Sequence, residues 1–284
     1  MENHQNTNRQ YLTPEFYSKM KIDYLTSLTL FKSELDLSEN TSKEKELAFL
    51  SNNLDEYSDL FKSRSLWLQS FSNDTYELFS LNFTFGQSFE TMREDLTLVI
   101  EAFELYQKAL GIYEKSPQIS PLGFAMLDEF EQALQLISLC YLLHRRDLLP
   151  RLRKLFDPGY AGQDTVYEDL MSFDIAGRID LDEWFHKESY STLVNAMYLG
   201  EPAANSELLK YCQKWYDCFE FVAPWYNNHL YINDSGYFFG YWAFEAGAIA
   251  MLYDLDDSKI DNLVYPKELV AWSRANIEKY GKNY

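Results

Sequence analysis

The sequence predicts an all-α protein, a globular multi-helix array with helical hairpins around a central buried helix in its C-terminal region. Three observations lead there. Apolar residues recur at three- and four-residue spacing through most of the 284 residues, as in helices with one buried face. With only 11 Gly and 8 Pro, turns are too sparse for a fold of many short strands. Finally, the stretch from Tyr237 to Tyr253 holds a single carboxylate, Glu245, among aromatic, aliphatic and small residues. A helix apolar on every face is buried on every face, and this one is too short and too interrupted to span a bilayer. Gly236 and Gly240 punctuate its start. Gly247 with Ala243, Ala246, Ala248 and Ala250 lets neighbouring backbones come close.

Taken in order, residues 1–10 read as a frayed polar tail. Thr13, Pro14 and Glu15 open a helix as N-cap, first helical residue and dipole partner, with Tyr17, Met20, Tyr24, Leu28 and Phe31 as its apolar stripe. A second helix starts at Thr41 or Ser42, with Leu47, Leu50, Leu54, Tyr57 and Phe61 inward and Asp55, Glu56 and Asp59 solvated. Residues 70–84 read as a loop and a short helix. A long helix follows from Phe89 to Glu114, with Met92, Leu96, Val99, Phe103, Tyr106, Leu110 and Tyr113 on one face. The break at Ser116–Pro121 launches another helix, Leu122 to His144, and the two read as a hairpin.

Arg145, Arg146, Arg151, Arg153 and Lys154 form the one basic cluster, yet Leu148, Leu149, Leu152 and Leu155 are spaced as a helix face. The charges therefore ring an ordinary short helix rather than a phosphate site. Asp157-Pro-Gly-Tyr-Ala-Gly-Gln-Asp164 is the best boundary. It divides an N-terminal helical region, 1–160, from a C-terminal helical domain, 161–284. Helical patterns resume at 166–173, 181–198 and 206–221, and a last helix runs from Pro266 to Tyr280.

The net charge of −19 repels nucleic acid phosphates and anionic membranes and favours a basic protein partner. An odd number of cysteines, Cys140, Cys212 and Cys218, without a C-x-x-C pair, fits a reducing compartment. The N-terminus lacks a signal core and no stretch is long enough to span a membrane, so a cytoplasmic protein is expected. The aromatic excess, 22 Tyr and 20 Phe, leaves room for an exposed patch and a homodimer.

Catalytic signals are weak. His4, His144, His186 and His229 show no paired helical spacing, so neither a metal nor a cofactor is expected. His229 with Asp234, and the run Asp180–His186, are the nearest approaches to a polar constellation. Glu245 on its apolar helix has the raised pKa of a general acid or base. Burial of a lone carboxylate is costly enough to demand partners, and a structural role bound to a Tyr hydroxyl, an Arg or backbone N–H groups is the favoured explanation. A helical carbohydrate-active hydrolase is the enzyme alternative, with Asp182, Glu183 and Glu245 as its first carboxylates. A generic helical protein-binding scaffold is the other.

A resemblance now enters. Tyr211-x-x-x-Trp-Tyr216, Trp225-Tyr-x-x-His229, Tyr237-Phe-Phe-Gly-Tyr-Trp-Ala-Phe-Glu-Ala-Gly-Ala-Ile-Ala250, Leu255-Asp-Asp-Ser258 and Tyr265-Pro-Lys-Glu-Leu-Val270 resemble the PoNi family. These are bacterial immunity proteins that neutralise PoNe-type DNase toxins. The resemblance is dense over residues 190–275, looser over 85–155 and slight before 80. Gly247 is a minor departure where the family is richest in small residues. It implies an all-α, non-catalytic protein whose partner is a cognate DNase toxin. Tyr241, Trp242, Phe244 and Glu245 are then core residues. The acidic clusters Asp180, Asp182, Glu183 and Asp254, Asp256, Asp257 are the candidate toxin-binding residues.

Overall fold

The computed structural model describes residues 8–39, 58–232 and 237–280, with Glu46 and Leu50 between the first two stretches. Eleven α-helices and no strands occur among the described residues. They are α1 (Pro14–Glu39), α2 (Ser58–Phe85), α3 (Phe89–Tyr113), α4 (Leu127–Leu142), α5 (Leu149–Tyr160) and α6 (Thr165–Ser172), then α7 (Lys187–Tyr198), α8 (Ala203–Trp215), α9 (Phe244–Leu252), α10 (Lys267–Ala275) and α11 (Ile277–Tyr280). Most of the helix expected from Thr41 or Ser42 lies outside the described residues, with Leu47, Leu54, Tyr57, Asp55 and Glu56. So do residues 1–7, Asp234 and Gly236.

Helix α1 starts at Pro14, and the Thr13 hydroxyl accepts the Phe16 N–H at 3.1 Å. Met20 and Tyr24 are buried along its inner stripe. Residues 70–84, expected to include a loop, instead complete the 28-residue α2. Their Ser and Thr residues favour turns in isolation. Here Ser70 and Thr75 donate to the carbonyls of Leu66 and Phe71 one turn back, which satisfies the hydroxyls inside the helix. Burial of Phe71, Tyr76, Phe79, Leu81 and Phe83 then decides the conformation.

Gly86, at φ 94°, ends α2, and Ser88 caps α3 through the Thr91 N–H. The principal hairpin is thus α2–α3, with α1 packed on α2. The hairpin expected between 89–114 and 122–144 is the lesser contact, and its second helix starts only at Leu127. A second hairpin joins α7 and α8.

The largest apolar cluster contains side chains from α1 to α10, with α4 through its middle. Leu148, Leu149, Leu152 and Leu155 are buried as expected. The basic side chains around them are engaged by acids: Arg145 by Asp147, Arg146 by Asp174, Arg151 by Glu104 and Arg153 by Asp157.

The central buried helix exists but is shorter than the apolar stretch that announces it. Helix α9 covers only Phe244–Leu252 and packs against α4, α7, α8 and α10. A Cβ on Gly247 would come within 2.8 Å of Pro266 and 2.9 Å of Val270, so the small residue does bring α9 and α10 together. Residues 238–243 are buried but not helical, because Gly240 sits at φ 105°. Buried backbone needs partners, and side chains from distant elements supply them. Asn8 donates to the Tyr241 carbonyl at 2.6 Å and accepts its N–H at 3.1 Å. Thr84 donates to the Phe239 carbonyl at 2.6 Å, Gln135 donates to the Trp242 carbonyl, and the Ala243 N–H reaches Val264 at 2.9 Å. Asn8 is fully buried, so the supposed frayed tail is, from residue 8 onward, a clamp on the core.

Candidate functional site

The first acidic cluster lies on the segment between α6 and α7, which is irregular rather than helical from 181 to 186. It is held by the start of α6. The Thr165 hydroxyl lies 2.8 and 2.9 Å from the carbonyls of Leu181 and Glu183, its one hydrogen shared between them, and the Thr165 N–H also reaches Glu183 O at 2.8 Å. Asp164 caps α6 with one oxygen and accepts the Phe185 N–H with the other. Arg178, almost fully buried, bridges Asp157 at 2.7 Å and Glu168 at 2.8 Å. The backbone is thereby fixed while Asp180, Asp182 and Glu183 stay exposed. Asp182 accepts from the Trp184 indole and pairs with Lys187 at 3.4 Å, which holds its pKa below the ordinary carboxylate value.

The second cluster follows α9. Asp254 stands at φ 52° and is exposed, as is Asp256, whose carboxylate accepts the Ser258 N–H at 3.0 Å. Asp257 is engaged inward: one oxygen accepts from Arg274, the other from the Tyr265 hydroxyl, both at 2.6 Å. Arg274 also donates to the carbonyls of Ala250 and Leu255, so Asp257 anchors the loop.

Asp169, on α6, accepts the Tyr198 hydroxyl at 2.7 Å. Burial pushes its pKa up to about 6, with Asp180 adding repulsion. Tyr253, beside Asp254, is raised by burial and then by the same Asp169. Its ring also meets that of Phe173 at 5.3 Å.

Glu245 has the partners that its burial demands. The Tyr211 hydroxyl and the Trp215 indole both donate to Oε1 at 2.7 Å, while Oε2 has no partner. Burial pushes its pKa up to about 7 against the lowering effect of these donors. Tyr241, Trp242 and Phe244 are buried with it. Sealed in the core, Glu245 cannot face a groove shared with the exposed Asp182 and Glu183, as the hydrolase alternative requires. His229 pairs with the Tyr241 hydroxyl at 2.9 Å and His186 with the Phe124 carbonyl at 2.8 Å. Among the described residues no group of three His, Cys, Asp or Glu is placed to hold a metal ion, and no helix is long and apolar enough to cross a membrane. Cys140, Cys212 and Cys218 are free thiols.

Sequence reasoning passed over a second buried carboxyl, Glu131 on α4, whose Oε1 is unpaired. Burial and the neighbouring Glu245 raise its pKa well above the ordinary range. Its signal was available: Glu131 and Gln135 stand one turn apart on a helix whose inward positions are otherwise mostly apolar.

No curated protein matches the sequence. The crystal structure of protein PA2201 from Pseudomonas aeruginosa is similar over 96% of this chain and 92% of its own, at 17% identity and a TM-score of 0.68, which shows a shared fold. Residues 162–269, which include both acidic clusters and the core around Glu245, match the C-terminal model of the PoNe immunity proteins (PoNi). Over residues 162–269 the chain is therefore similar to the C-terminal part of the PoNi family of PoNe immunity proteins.

Proposed function

We propose that this protein binds a cognate PoNe-type DNase toxin in the bacterial cytoplasm and neutralises it, without catalysis of its own. The family match over residues 162–269 carries the reading. Both acidic segments fall inside that region. Asp180, Glu183 and Asp254 are exposed and make no ion pair among the described residues, and the whole chain carries −19. A nuclease must hold a polyanion, so its DNA-binding surface is basic, and a rigid acidic patch competes for that surface and accelerates encounter. Asp180, Asp182, Glu183, Asp254 and Asp256 are the proposed contacts, with Asp257 fixing the loop that presents two of them.

The test is a protection assay with the nuclease encoded beside this gene, reading genomic DNA integrity in cells that produce both proteins. Intact DNA is expected with the parent protein. Lys at Asp180, Glu183, Asp254 and Asp256 together is expected to abolish protection while the thermal midpoint holds. Degraded DNA despite soluble parent protein tells against the pairing, and full protection by the charge-reversed variant tells against this surface.

A further inference from the structure

A cleft on another part of the molecule has the chemistry of a cation receptor. It opens between α2, the start of α4 and the segment around Trp225 to Trp242, with a volume of about 250 Å³. Four carboxyl side chains line it, Glu77, Asp128, Glu129 and Glu131, and among the described residues no Lys, Arg or His does. Two acids elsewhere in this chain have a cation: Glu168 has Arg178 and Asp257 has Arg274. The four acids of the cleft make no ion pair among the described residues. Glu131 is only 4% exposed and its Oε1 has no partner; the buried Oδ1 of Asp128, one turn earlier, has none either.

The walls are aromatic. Trp215, Trp225 and Trp242 contribute to them, with Tyr76 and Tyr237. Carboxylates among indole faces suit a planar organic cation, which pairs with the first and stacks on the second. Three observations narrow the occupant. Among the described residues no three acids converge as metal ligands. The volume falls below the roughly 300–1,000 Å³ of small-molecule sites and leaves room for one long side chain with its hydration. The segment that brings Pro224 and Trp225 into the wall also carries Phe221, 96% exposed and held at φ 65°. A large exposed aromatic side chain in a left-handed conformation is costly without a function, and three residues before the wall residue Pro224 it is suited to anchor a protein.

We propose that this cleft receives one basic side chain, arginine foremost, of the protein partner. The partner's identity rests on the immunity reading; the cleft's chemistry does not. The guanidinium supplies the hydrogen-bond donors that Asp128 Oδ1 and Glu131 Oε1 lack, and Phe221 packs against the surface from which the arginine projects.

The experiment titrates Nα-acetyl-arginine methylamide, and its uncharged citrulline counterpart, into the full chain while following the indole N–H resonances of Trp215, Trp225 and Trp242. Saturable shifts are expected with arginine and none with citrulline. Glu131→Gln should weaken binding by about tenfold or more, the value of one charge-assisted hydrogen bond. Asp128→Lys, which tethers a cation inside the cleft, should abolish it, and Asp128→Asn separates charge from folding. Toxin affinity should fall in the same order. Arginine shifts that are absent, equal with citrulline, or unchanged in Asp128→Lys overturn the inference, whatever the toxin does. A toxin that does not bind the parent protein tells against the immunity reading alone.

Discussion

Glu245 shows what a single residue can report. Its carboxyl is buried, and burial lifts its pKa to about 7; Glu77, buried beneath the hydroxyls of Tyr24 and Tyr237, rises to about 7 as well. In the unfolded chain both ionise near the ordinary glutamate value of about 4.3. Between that value and about 7 the folded state holds protons that the unfolded state has released, so stability falls as pH rises through this window. The slope is at most about 1.4 kcal/mol per pH unit for each proton. Denaturant titrations at pH 5 and pH 8 should show the protein less stable at pH 8. Glu245→Gln keeps an acceptor for Tyr211 and Trp215 but cannot ionise, so it should flatten this dependence and gain on the parent at pH 8. Glu245→Ala strands both donors in the core and leaves a void, at a cost of about 3 kcal/mol. A pH profile unchanged by Glu245→Gln would show that the carboxyl does not titrate between the two states.

At the scale of an element, the buried segment 238–243 is the feature most dependent on distant help. A Cβ at Gly240 collides with the Thr84 hydroxyl and the Trp242 indole nitrogen, in a backbone conformation that L-residues avoid. Gly240→Ala should cost about 2–4 kcal/mol, from strain and overpacking together. Asn8→Ala leaves the Tyr241 N–H and C=O unpaired in the core and should cost about 2 kcal/mol. Both are read as shifts of the denaturation midpoint at constant slope. The segment bearing Asp180 depends on Arg178 in the same way. Arg178→Met leaves Glu168 buried without its cation and should cost about 3 kcal/mol. It should also release the Ile179 N–H contact to Glu168, at 3.1 Å, which hydrogen exchange at Ile179 and its neighbours detects.

For the whole molecule the governing quantity is its charge of −19. Exposed charges are screened by salt, with a Debye length of about 10 Å at 0.1 M and about 3 Å at 1 M. Association with a basic toxin should therefore slow by about tenfold or more between low and high salt, while dissociation changes less. Stopped-flow mixing at several salt concentrations measures this. An association rate indifferent to salt would leave the acidic surface without a steering role.

Patterns one turn long were legible in the sequence: the stripes of α1 and α3, the Thr13 cap, the leucine face of α5 and the buried character of the stretch around Glu245. Each follows from neighbours within a few residues. The helical state of 70–84 was not, because its hydroxyls favour turns until burial outweighs them. Nor was the end of α9, where Gly240, Asn8 and Thr84 fix the backbone together across more than 150 residues. The same division holds for the candidate sites. The exposed carboxylates could be picked out as acidic runs, but that Asp257 turns to Arg274 while Asp254 and Asp256 stay exposed is a fact of the folded loop. The cleft at Glu131 was invisible, since its carboxyls and indoles come from segments far apart in sequence. By itself the sequence determined the helical class, the charge and the buried C-terminal stretch, because periodicity and composition are local and additive. Which buried acids found a cation and which did not was decided only by the tertiary structure, because pairing depends on distances the chain acquires on folding.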